Sequence, residues 1–167
     1  TMMVPQIVRL IPSYLIIKDL RLINEYMGMI LPKVAWMIPF GTFMMRQFMV
    51  SIPIELDEAA TIDGANRWQT LIHIIVPNLV PAMMTLAIYV FVNTWNDLIW
   101  MMIVATKESM RTITVGLALM SGPSLTLVPP WNVIMAATII GVLPVVILFI
   151  FFQKYFIQSV TFEGIKG

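Results

Sequence analysis

Three apolar stretches, residues 34 to 50, 82 to 105 and 131 to 152, constrain this chain more than any other feature. In hydrocarbon, backbone N–H and C=O groups must be satisfied within the chain, so a span is either a helix or part of a closed barrel. These runs are predominantly apolar without strand-like alternation, which favours the helix. At about 1.5 Å per residue the second stretch reaches ~36 Å, enough to cross ~30 Å of hydrocarbon with some tilt. Only 11% of residues are charged, against roughly 25% in an average soluble domain. The expectation is an all-α, polytopic helical membrane protein, one helical membrane domain over residues 1–167 with three full transmembrane helices. The apolar opening, residues 1 to 17, is interrupted by Pro5, Arg9 and Pro12, and is expected to be the end of a fourth span.

The sequence excludes several functions. No cysteine is present, which removes disulfides, thiolate metal sites and cysteine nucleophiles. A net charge of +1 without a basic patch argues against nucleic acid as a partner. His73 is the single histidine and belongs to no HExxH pattern, so an interfacial polar role is expected for it rather than a metal site. The 15 methionines are scattered, as adaptable packing residues are. With no GxxxxGK[ST] loop, the chain has no phosphate cradle of its own.

Polar connections separate the apolar runs. Residues 18 to 33, "KDLRLINEYMGMILPK", read as an external or interfacial connection, and residues 106 to 130 as a second one rich in Ser, Thr, Gly and Pro. The first full span contains Pro39 and Gly41 and is expected to kink. The last carries Ala137 and Gly141, a small-xxx-small spacing that allows close approach of another helix.

The connection from 51 to 81 carries "SIPIELDEAATIDGANRW", residues 51 to 68, with four of the nine acidic side chains. Pro53 suits a first helical turn, where its missing N–H costs nothing, and Glu55, Asp57 and Glu58 lie near the positive end of the helix dipole. Gly64 can close that helix in the left-handed conformation. Asn66 then caps a second helix, with Gln69 three residues on as in a capping box. The result is a two-helix hairpin, about residues 53–76, with a glycine corner. Its periodicity fits both an amphipathic hairpin lying in lipid headgroups and a docking element for a partner protein.

Glu58-Ala59-Ala60, three residues, Gly64, nine residues, and Ile74-Ile75-Val76-Pro77 resemble the EAA signature of ABC importer permeases, written EAA-x3-G-x9-I-x-L-P. Val76 stands where the signature has leucine. "LINEYMGMILP" (22 to 32), "NTWNDLIW" (93 to 100) and "TFEGIKG" (161 to 167) are similar to carbohydrate-importer permeases of the maltose and glycerol-phosphate type, the binding-protein-dependent transport system inner-membrane components. The resemblance covers essentially the whole chain and places it from the end of span three through span six. It implies a permease subunit for a sugar or oligosaccharide in a prokaryotic inner membrane, with the hairpin and C-terminus in the cytoplasm. The implied coupling residues are Glu58, Ala59, Ala60, Asp63 and Gly64. The implied partners are a dimer of ABC ATPase subunits, which would hold the ATP and Mg while this chain binds no cofactor, a second permease subunit, an extracytoplasmic solute-binding protein, and membrane lipid.

"YVFVNTWNDLIW" puts Tyr89, Asn93, Asn96 and Trp100 at i, i+4, i+7 and i+11, a single stripe, with Asp97 beside it. A carboxylate in a span costs roughly 2.5–3.5 kcal/mol, so Asp97 is expected to have a partner. Two readings stand side by side: a sugar pathway of amides, a carboxylate and stacking rings, or polar groups that hold helices together or bridge a backbone break. The rivals to an importer are an ion-coupled secondary transporter or channel using Asp97, a structural membrane subunit, and an intramembrane enzyme, for which no catalytic set is apparent. Charge opposes the motif-based orientation. It puts Arg46, Arg67, Lys154 and Lys166 inside but Arg9, Lys18, Arg21, Lys33, Lys107 and Arg111 outside, the reverse of the positive-inside rule.

Overall fold

A computed structural model describes residues 2–122 and 130–161, the backbone alone from 154 onward. The described residues form helices and contain no strand. In order these are α1 (Gln6–Asp19), α2 (Tyr26–Ser51), α3 (Ile54–Ile62), α4 (Arg67–Thr70), a π-helical turn (Leu71–Ile75), α5 (Val76–Trp95), α6 (Ile99–Val104), a 3-10 turn (Glu108–Met110), α7 (Ile113–Ser121) and α8 (Trp131–Thr161). Among the described residues three helical stretches are long and apolar enough to cross a membrane: Tyr26–Ser51, Arg67–Trp95 and Trp131–Gln153. The protein is a multi-pass helical membrane protein. α1, at 14 residues, is ~21 Å long and does not by itself cross the hydrocarbon. The "TFEGIKG" ending after Thr161, Lys166 among it, and residues 123–129 of the 106–130 connection lie outside the described residues, and part of that connection is helical, as α7.

Three boundaries differ from the expectation. The first full span begins at Tyr26 instead of residue 34, so most of the supposed 18–33 connection is helix. Gly28 makes this early start possible, because a Cβ there would collide with the Leu22 carbonyl. The true connection, Leu20–Glu25, turns through Arg21 and Asn24, with φ of 58° and 61°. The second span stops at Trp95 rather than running on to 105, and the chain restarts as α6 after Asn96–Leu98. The second helix of the hairpin is also not a separate short element, since α4, the π-turn and α5 form one helical stretch of 29 residues. The π-turn has a local cause. Pro77 has no N–H to return to the carbonyl of His73 and its ring crowds that carbonyl, and a wider turn relieves the conflict. There the Val76 amide donates five residues back, to the Leu71 carbonyl.

The chain divides into two compact units, one of residues up to Pro39 with Phe91–Leu148, the other of Phe40–Val90 with the chain from Phe149. The first holds a buried cluster of Ile17, Trp100, Met101, Val104 and Val115, packed on by Leu10, Tyr14, Leu22, Met29 and Trp36. Here α6 lies against α1. In the same unit the Gly141 position on α8 is met by the side-chain ends of Ile113 and Leu117 of α7. The second unit holds α3 and α4 in contact, with Ala60 and Thr70 buried.

Candidate functional site

The hairpin is built by rules that act over a few residues. Pro53 stands just before α3 in an extended conformation, with Glu55 and Asp57 in the first turn. Its C-terminus is tied by Asp63 N–H to the Ala59 carbonyl and by Ala65 N–H to the Ala60 carbonyl. Gly64 has φ of +81°, the left-handed conformation that glycine adopts without strain. Asn66 Oδ1 accepts from the amides of Trp68 and Gln69, each at 3.0 Å, while the Asn66 amide donates to Gln69 Oε1 at 2.8 Å. This is the full reciprocal capping box. The His73 ring nitrogen Nδ1 meets the Gln69 carbonyl at 3.0 Å.

Of the residues expected to couple, Glu58, Ala59, Asp63 and Gly64 are exposed, while Ala60 faces inward at 3% exposure. Ile54, Ile62 and Trp68 also stand in the open. The surface is therefore acidic with large apolar side chains interspersed. Desolvated apolar anchors ringed by polar groups are what protein interfaces use.

The second cluster lies in the first unit at the break between α5 and α6. The single stripe from Tyr89 to Trp100 does not exist, because the helix ends at Trp95. Two side-chain bonds, one local and one from farther along the chain, satisfy backbone groups freed at the break. The Trp95 carbonyl accepts from Thr114 Oγ1 at 2.9 Å, and Asp97 Oδ1 accepts from the Trp100 amide at 3.2 Å, satisfying one of the free N–H groups at the start of α6. Trp95 Nε1 donates to the Gly141 carbonyl at 2.9 Å, fixing the end of α5 to α8.

Asp97 does have a partner. Its Oδ2 forms an ion pair with Lys33 Nζ, and both side chains are buried, 10% and 7% exposed for lysine and aspartate. Lys33 sits within α2 rather than in an outer loop, so it leaves the tally of loop charges used for orientation. Trp36, one turn along from Lys33, meets Trp100 edge-on with ring centroids 5.2 Å apart. The Arg9 guanidinium and Lys33 ammonium lie 5.7 and 5.8 Å from the centre of the Trp36 ring, within cation–π range.

Asn24 fastens the other end of α6. Its amide donates to the Val104 carbonyl at 3.0 Å, its Oδ1 accepts from the Lys107 amide at 2.7 Å, and its Nδ2 donates to Thr106 Oγ1 at 2.8 Å. Its positive φ suits an asparagine.

Of the expected pathway residues, Tyr89, Asn93 and Asn96 are exposed, Asp97 is paired and Trp100 is fully enclosed at 0%. The Trp100 ring packs in the protein and presents no face for a sugar to stack on. Tyr89 belongs to the second unit, where it rests against Phe40 with ring centroids 4.7 Å apart. Sequence reading missed Lys33, Trp36 and Asn24. The available signal was the three-residue spacing of Lys33 and Trp36, which shares a face only if the helix begins before Lys33. Among the described residues, no three His, Asp or Glu side chains gather as metal ligands.

Residues 1–162 match the family described as "Binding-protein-dependent transport system inner membrane component". Among curated relatives, a trehalose/maltose transport system permease protein of Thermococcus litoralis is 36% identical over 165 residues, covering 99% of this chain and 59% of the relative. An arabinooligosaccharides transport system permease protein of Halalkalibacterium halodurans is 34% identical, with 99% and 58% covered. An sn-glycerol-3-phosphate transport system permease protein of Brucella abortus is 32% identical, with 96% and 56% covered. The chain thus spans less than three fifths of the length of these relatives. With the match running through the hairpin and the α5–α6 break alike, the chain belongs to the family of binding-protein-dependent transport system inner membrane components.

Proposed function

We propose that this chain serves in the permease subunit of an ATP-driven importer of sugars or oligosaccharides, and that α3 and its glycine corner are where an ATPase subunit pushes. The observation that carries the reading is the preformed hairpin. Gly64 and the Asn66–Gln69 box hold its shape, while Glu58 and the neighbouring apolar side chains stay outside. A surface already ordered before binding loses little entropy when a partner docks. The names of the relatives, which cover trehalose/maltose, arabinooligosaccharides and glycerol phosphate, support a polyhydroxylated solute. In this reading the hairpin and C-terminus face the cytoplasm. The ATPase dimer holds ATP and Mg, and a second permease subunit and an extracytoplasmic solute-binding protein complete the machine. In the same reading Asn93 and Asn96 would contact the hydroxyls of the solute. Asp97 holds structure.

An ion-coupled transporter using Asp97 fits less well, because the carboxylate already has a cation, Lys33, beside it. A buried carboxylate with a lysine beside it is less available as an exchange site for protons or sodium.

The test is capture of the ATPase by the membrane-inserted chain, followed by ATP-dependent uptake of a labelled maltooligosaccharide in vesicles. Glu58→Ala is expected to weaken capture by ~30-fold, about 2 kcal/mol for a central interface contact, and to abolish uptake without loss of membrane insertion. Gly64→Pro removes the corner and is expected to act the same way. Wild-type capture and uptake in both variants would refute the role.

A further inference from the structure

Lys33 belongs to neither the coupling surface nor the exposed amides, yet it is the cation nearest the break that shapes the outer end of α5. Asp97 uses its two oxygens for different tasks: Oδ1 caps the Trp100 amide, and Oδ2 meets Lys33. The cap needs the carboxylate to remain inside the protein. A lone carboxylate in a membrane-embedded, largely dehydrated place is drawn to water or takes up a proton. Lys33 removes that tendency. We propose that Lys33 is a positioning residue of the permease. By neutralising Asp97, it keeps the Asp97 carboxylate on the α6 N-terminus and so holds α6, with Trp100 and Val104, in the buried cluster.

Two features separate this role from substrate contact. Lys33 is enclosed, and its ammonium is committed to Asp97 and to the face of Trp36. A residue that acts only by cancelling a charge becomes dispensable when that charge is removed, because deleting both members of a buried pair leaves no orphan while deleting one does. A residue that binds solute stays necessary whatever stands at 97.

The chain has no cysteine, so Val104→Cys supplies a single thiol at a position 0% exposed. Its labelling by N-ethylmaleimide in native membranes reports how often α6 leaves its seat. In that background Lys33→Met is expected to raise the labelling rate by about tenfold or more. Lys33→Arg, which keeps the charge, stays near the parent rate. The double variant Lys33→Met/Asp97→Asn also returns close to the parent, because an asparagine oxygen still caps Trp100 without a buried charge.

Two results would overturn the proposal: Lys33→Met labelling at the parent rate, or the double variant labelling as fast as Lys33→Met alone. The effect on uptake rests on the importer reading, whereas labelling does not. Protection lost and recovered as described, with no uptake in any background, would count against the importer and leave the role of Lys33 standing. In a working importer, Lys33→Met lowers the maximal uptake rate and the double variant restores it.

Discussion

In the hairpin, the bonds that fix the corner join residues no more than five apart, from Asn66 and Gln69 to Ala60 and Ala65. Around α6 the fastening bonds run from Asn24 to Thr106 and Lys107, 82 and 83 positions away, and the ion pair joins Lys33 to Asp97. One region carries its shape in its own sequence and keeps its side chains outside. The other borrows its shape from distant segments and buries what it borrows. Local construction suits a surface offered to a partner, since its form does not depend on the rest of the protein being in one state. Long-range construction suits a seat between helices, where loss of any one tie frees a whole element.

If that contrast is right, damage should spread from the α6 seat and stay confined in the hairpin. The largest effect is expected from Trp100→Ala. Emptying a fully enclosed indole site costs ~3–5 kcal/mol, read as a lower denaturant midpoint in SDS titration of the purified protein together with rapid labelling at Val104→Cys. Asn24→Ala comes next. It strips the Lys107 amide and Thr106 of their partner and places alanine at a positive φ, for about 2–3 kcal/mol in the same titration. Asn66→Ala should be mildest, ~1 kcal/mol for one helix cap. Amide exchange should quicken at Trp68 and Gln69 while Val104→Cys stays protected. Spread of the Asn66→Ala effect to Val104, or confinement of the Asn24→Ala effect to its own turn, would erase the distinction.

The same contrast explains what could be read from the sequence. Pro53, Gly64 and the Asn66–Gln69 pair are local instructions, and the structure places α3 at Ile54–Ile62 where they indicate 53 to 63. The three spans follow from apolar length alone. The start of α2 does not, since "KDLRLINEYMGMILPK" has the charge and proline of a loop, and only Asp97 explains why Lys33 lies buried in a helix. The break after Trp95 is equally hidden. Residues 82 to 105 read as one apolar run, and what divides it is a hydroxyl from Thr114, 19 residues on, taking up the Trp95 carbonyl. The resemblance of "NTWNDLIW" to permeases drew attention to this segment without revealing that Asp97 points at a lysine.

The unbroken passage from α4 through the π-turn into α5 has a mechanical meaning. From Arg67 to Val90 the helix is a rod of ~36 Å, and the capped corner is at one end of it. A tilt of about 10° at that corner moves the far end by ~6 Å, comparable to one helical turn. In the importer reading proposed above, the five residues of the π-turn, close to the corner, would take up part of such a tilt as bending before it reaches Val90. In that reading the stiffness at Leu71–Ile75 would act as a gearing ratio, and Pro77, which favours the wide turn, would be the residue that sets it.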